Sequence, residues 1–73
     1  MPNAEELYDL AVDHVAEGRL EEAIATYWEA IAMDPGFADA ILGLAMAYAD
    51  NKMFDEAIEQ GRKLVELTPD DTL

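Results

Sequence analysis

His14 is the only histidine of the chain, and the chain has neither Cys nor Ser. That inventory closes most routes to catalysis. A zinc site needs a set of nitrogen and sulfur ligands that one histidine does not supply. Serine and cysteine nucleophiles are absent, and Tyr or Thr without a neighbouring base stays inert. The 17 Asp and Glu residues are numerous enough for cation chemistry, but they sit on solvated helix faces. They also lack the Asp-x-Asp-x-Asp-Gly spacing that wraps calcium. Gly18, Gly36, Gly43 and Gly61 stand apart, so no glycine-rich loop cradles a phosphate. No enzyme activity, no cofactor and no resident metal are expected. His14 falls on an apolar helical face, where a core histidine with satisfied ring nitrogens is expected.

What remains is recognition, and charge narrows the partner. Against 17 acids stand only 4 Lys and Arg, a formal net charge of -13. Such a field repels nucleic acid and anionic membrane surfaces and attracts basic partners. No run approaches the ~20 apolar residues that cross a bilayer. Met1-Pro2-Asn3 leads straight into Glu5-Glu6, without a basic start or an apolar stretch, so no leader is expected and the cytoplasm is the expected location. With 52% hydrophobic residues in 73, the chain has the material for one small folded domain. A domain this short is marginally stable and has no disulfide to help it, so a second copy is a natural source of support.

The apolar spacing positions these residues on helices. Asn3 and Glu6 have the capping-box separation. Leu7, Leu10, Ala11 and His14 follow at i, i+3, i+4, i+7, which predicts one buried helix face. Gly18 suits a left-handed C-cap. Leu20, Ala23, Ile24, Tyr27, Ala30 and Ile31 continue the period until Asp34-Pro35-Gly36 stops it. A third run carries Ile41, Leu44, Ala45 and Tyr48 and fades at Asp50-Asn51-Lys52, where Asn51 is expected to take the left-handed cap. A fourth carries Phe54, Ala57, Ile58, Leu64 and Val65 and stops at Thr68-Pro69, before an acidic tail, Asp70-Asp71-Thr72-Leu73. Nothing alternates with the period of a strand. The fold class is therefore all-α, with short links that force antiparallel hairpins.

A shift of 34 residues superposes the halves. Leu7 falls on Ile41, Leu10 on Leu44, Ala11 on Ala45 and His14 on Tyr48. Leu20 falls on Phe54, Ala23 on Ala57, Ile24 on Ile58, Ala30 on Leu64 and Pro35 on Pro69. A helix-turn-helix written at a fixed period reads as an α-solenoid. With Leu7, Leu10-Ala11, Ala23, Tyr27, Ala30 and Pro35 in one unit, and Ile41, Leu44-Ala45, Tyr48, Ala57, Leu64 and Pro69 in the other, the chain resembles the tetratricopeptide repeat family. The resemblance implies two helical hairpins, four helices in all, in one domain over 1–73, with repeats at 4–37 and 38–71. His14, Gly61 and Leu64 depart from the family pattern of an aromatic, an aromatic and a small alanine.

A second apolar stripe, Tyr8, Val12 and Val15, repeats as Leu42, Met46 and Ala49. The resemblance implies that the first helix of each repeat lines a concave groove, and so that Tyr8, Val12, Leu42 and Met46 face it, rimmed by Glu5, Asp9, Asp39 and Asp50. A basic or amphipathic peptide or helix suits such a surface. Family members that clamp a carboxylate tail use groove Lys, Arg and Asn. Here those places hold Tyr8, Val12 and Gly43 beside acids, which repel such a tail. The last helix carries Phe54, Ile58, Gly61, Leu64 and Val65 with no polar helix after it, so it is a candidate self-association face for a homo-oligomer. Trp28, which aligns with Arg62 rather than with a core position, is a candidate interface anchor. Met33, Met46 and Met53 are expected to fill gaps.

Overall fold

A computed structural model describes residues 2–67 of the chain. Its helices are α1, Ala4–Ala16; α2, Leu20–Met33; α3, Ala38–Asp50; and α4, Phe54–Leu67. No strand occurs among the described residues. The predicted stop at Thr68-Pro69 and the acidic tail lie outside the described residues.

Local chemistry accounts for the helix ends. The Glu6 amide donates to Asn3 Oδ1 at 2.8 Å and the Asn3 amide donates to Glu6 Oε1 at 3.0 Å. This reciprocal box satisfies two of the amides that a helix start leaves open, a contribution of about 1 kcal/mol. At the other end of α1, Gly18 has a φ of +79°, and the Arg19 amide reaches back to the His14 carbonyl at 2.8 Å. The end of α3 is built the same way, with the Met53 amide on the Tyr48 carbonyl at 2.8 Å. Here the left-handed residue is Lys52, with a φ of 63°, and not Asn51, which sits at φ -90°. The cap geometry puts the turn one residue later than side-chain preference suggested, at the place equivalent to Gly18. A lysine in that conformation is strained through its Cβ. Lys52→Gly is therefore expected to raise stability by about 0.5–1 kcal/mol, read as a later urea midpoint at unchanged slope. Between the hairpins, Asp34 is extended, as a residue before proline prefers, and its Oδ1 accepts from the Gly36 amide at 3.3 Å.

The helices pack as two antiparallel pairs, α1 on α2 and α3 on α4; α2 lies on α3, and α1 touches α3. Alanines make the close crossings possible. Ala11, Ala23, Ala30 and Ala40 are all fully buried, and a larger side chain there would drive the helices apart. Leu7, Tyr27, Ile41, Leu44, Ala47 and Tyr48 complete the core, with Tyr8, Val15, Ile24, Ile31, Phe37, Met53 and Ala57 half-buried around it.

The equivalence of the repeats breaks at the ends of the array. Leu44 is fully buried, but Leu10, its counterpart and a predicted core residue, is 46% exposed. The face of α3 that carries Leu44 meets α2, whereas no described element covers that side of α1. His14 is likewise only half-buried, and its buried Nδ1 has no hydrogen-bond partner, contrary to the satisfied core histidine expected. Its counterpart Tyr48 is buried, and its hydroxyl accepts from the Trp28 indole N–H at 2.8 Å. Periodicity did not reveal the buried polar residues of the second helices. Thr26 donates its hydroxyl to the Glu22 carbonyl at 2.8 Å. Gln60, at the equivalent place, is buried with Oε1 unpartnered.

Candidate protein-recognition surfaces

The first helices of the two hairpins lie side by side and carry the predicted groove residues. Glu5, Asp9 and Val12 fall at i, i+4, i+7 on α1. Asp39, Leu42, Met46 and Asp50 fall at i, i+3, i+7, i+11 on α3. Each set thus shares one side of its helix. All four acids are exposed, and so are Val12, Leu42 and Met46, the last at 60%. Tyr8 is different. Its ring lies 5.9 Å from Tyr27 and 5.4 Å from Phe37, both tilted, so much of it belongs to the packing between repeats.

Tyr27 is the knob that fixes this packing. It is buried against α3 directly over Gly43, where an added Cβ would lie 2.5 Å from the ring. Burial raises its phenol above the ordinary value of 10.0, and the neighbouring Tyr8 adds to the rise. The folded state therefore holds this proton more tightly than the unfolded chain. The stability it contributes is whole below the ordinary value and falls as pH climbs through the raised one. Tyr27→Phe is expected to remove that alkaline loss. Melting curves of the two proteins between about pH 8 and pH 11 should change their separation only at the alkaline end.

On the opposite side, α2 and α4 are bridged by side chains. The Trp28 indole, 37% exposed, spends its N–H on Tyr48, and Lys63 Nζ sits 5.1 Å from the ring centroid. This candidate anchor is thus held within the chain by a hydrogen bond and a cation–π contact. Neither its one-letter pattern nor its alignment with Arg62 carried that signal, because the partners lie on other helices.

The outer face of α4 exposes a further set of large apolar side chains. Phe54 and Ile58 are each 59% exposed and Val65 is 68% exposed, while Gly61 and Leu64 are half-buried beside them. Two shallow depressions run along it. One, of about 460 Å³, is lined by Asp55, Glu56, Ile58, Glu59 and Arg62. The other, of about 420 Å³, is lined by Ile58, Gly61, Arg62, Val65 and Glu66.

Among the described residues no group of three or more His, Asp or Glu side chains could hold a metal ion, and no described helix is long and apolar enough to cross a membrane. The surfaces offer apolar contact, hydrogen bonding and negative charge, which are means of binding protein. The family model described as tetratricopeptide repeat matches residues 8–72. With paired antiparallel helices, alanine crossings and a 34-residue period across that span, the chain belongs to the tetratricopeptide repeat family, whose members generally serve as protein–protein interaction modules.

Proposed function

We propose that the chain is a docking module that receives a basic or amphipathic peptide or helix of another protein along α1 and α3. The observation that carries this reading is the shared exposure of Val12, Leu42 and Met46 beside Glu5, Asp9, Asp39 and Asp50, in a chain of net charge -13. The apolar side chains anchor the ligand, and Tyr8 offers the edge of a ring already held in place. The acids steer a cationic ligand in and set its orientation. Because the core holds both helices beforehand, little ordering is needed on binding. The two repeats, 4–37 and 38–71, act as one recognition unit, in the cytoplasm. The same charge keeps nucleic acid and anionic lipid away.

The test is titration with a fluorescent amphipathic helical peptide rich in Lys, beside an acidic peptide of the same length. The basic peptide is expected to bind, to weaken as salt rises, and to lose at least about tenfold in affinity with Val12→Lys and Met46→Lys combined. Both positions are exposed, so the fold should survive. Equal binding of the two peptides, or indifference to the double variant, would remove the groove from consideration.

A second reading draws on another face. Phe54, Ile58 and Val65 stay open on α4, flanked by Gly61 and Leu64, and self-association through that helix would make the chain a structural unit.

A further inference from the structure

The two ends of the array present unlike faces. On α3, the side that meets α2 is made of Ala40, Leu44 and Ala47, all buried, and of Gly43 under the Tyr27 ring. At the equivalent places α1 has Glu6, Leu10, Asp13 and Asp9, all exposed. A helix stacked there would strip three carboxylates of water, a cost that the contacts of one leucine do not offset. The α4 end is the reverse. On α2 the stripe Leu20, Ile24, Tyr27 and Ile31 is half-buried or buried beneath α3. The same stripe on α4 is Phe54, Ile58, Gly61 and Val65, and its large side chains are open to solvent. Head-to-tail stacking of copies would thus press an apolar stripe onto carboxylates.

The α4 stripe instead matches itself. Positions 54, 58, 61 and 65 have the alternating four-and-three spacing of a helix–helix seam. Laid antiparallel on a second α4, Phe54 meets Val65 of the other copy and Ile58 meets Gly61. Among the described residues, nothing beyond its own stretch of helix lies within 4 Å of a Cβ built on Gly61, so the gap left by the missing aromatic knob receives the isoleucine. Asp55 and Arg62 line one edge of the stripe, seven residues apart. In this register each Asp55 falls beside Arg62 of the other copy, and two-fold symmetry makes the pair twice. The two depressions along α4 share Ile58 and Arg62, the residues at the centre of that contact. We propose that two copies pair through α4, antiparallel about a two-fold axis, giving a closed dimer that leaves α1 and its groove open. This rests on the self-association reading and adds its partner, register and closure.

Sedimentation from low to high micromolar concentration, at about 0.15 M salt to screen the overall repulsion, tests it. A monomer–dimer equilibrium is expected, and Ile58→Glu should leave only monomer with unchanged helix content. Asp55→Arg and Arg62→Asp should each weaken the dimer about tenfold or more. Mixing those two variants in equal amounts should restore it, since every facing pair is then opposite in charge. A wild-type monomer at every concentration would overturn self-association itself. A dimer indifferent to Ile58→Glu, or a mixture that fails to recover, would overturn the α4 register while leaving self-association standing. Growth beyond two chains would overturn the closed arrangement in favour of head-to-tail stacking.

Discussion

Leu44→Ala is expected to remove a large share of the fold's stability, while Leu10→Ala should be nearly silent. The two leucines hold the same place in their repeats, and composition or period alone would give them equal weight. Leu44 is fully buried between α2 and the helices of its own hairpin, and Leu10 is about half exposed. Truncating a buried leucine removes its transfer free energy and leaves a cavity, together about 2–5 kcal/mol. A domain of this size has a total stability of roughly 4–11 kcal/mol, so the loss is a large share of what holds the fold. At Leu10 the removed methyl groups were already partly in water, and no cavity forms because nothing encloses them. The expected cost there is under about 1 kcal/mol. Urea unfolding followed by circular dichroism gives both values. Equal losses at the two sites would mean that α1 is covered in solution by something other than α2 and α3.

Gly43→Leu and Gly61→Leu should move stability in opposite directions. Both glycines lie inside helices, where any good helix former gains up to about 1 kcal/mol over glycine. At Gly61 that gain stands alone, because among the described residues nothing beyond its own stretch of helix lies within 4 Å of the added Cβ. At Gly43 the Cβ would fall 2.5–2.7 Å from two ring carbons and the hydroxyl oxygen of Tyr27. The ring has little freedom to retreat, since Tyr8 packs against it and Phe37 packs behind Tyr8. Overpacking of this kind costs about 1–3 kcal/mol and more for a full leucine side chain, which outweighs the gain in helix propensity. A thermal melt at low protein concentration, where association plays no part, should show Gly61→Leu above the wild type and Gly43→Leu well below it. Tyr27→Leu combined with Gly43→Ala should recover part of the loss, since the smaller side chain relieves the ring clash that causes it.

These pairs also mark where pattern reading stops. Helix number, order and ends follow from near-neighbour chemistry: a capping box at Asn3 and Glu6, Gly18 at a left-handed cap, Asp34-Pro35 between hairpins. The one misplaced end, Asn51 for Lys52, arose because side-chain preference favours Asn where the backbone turn had to match that after Gly18. The exposed stripe of Val12, Leu42 and Met46 could be read from the spacing, but the share of Tyr8 taken by Tyr27 and Phe37 could not, because those rings arrive from elsewhere in the chain. The hold of Tyr48 and Lys63 on Trp28 was hidden for the same reason.

The 34-residue period and its apolar pattern are enough to specify paired helices and their antiparallel order, because each hairpin forms from residues near one another along the chain. Burial is decided only in three dimensions. Two residues at the same phase of a repeat have the same local chemistry, but a neighbour stands against one and water against the other. Leu44 became core and Leu10 surface, Tyr27 was covered and the α4 stripe left open, by position in the stack. The first end carries acids where the middle carries Ala40, Gly43 and Ala47, and the last keeps its apolar stripe, an asymmetry whose meaning appears once the helices are placed beside each other.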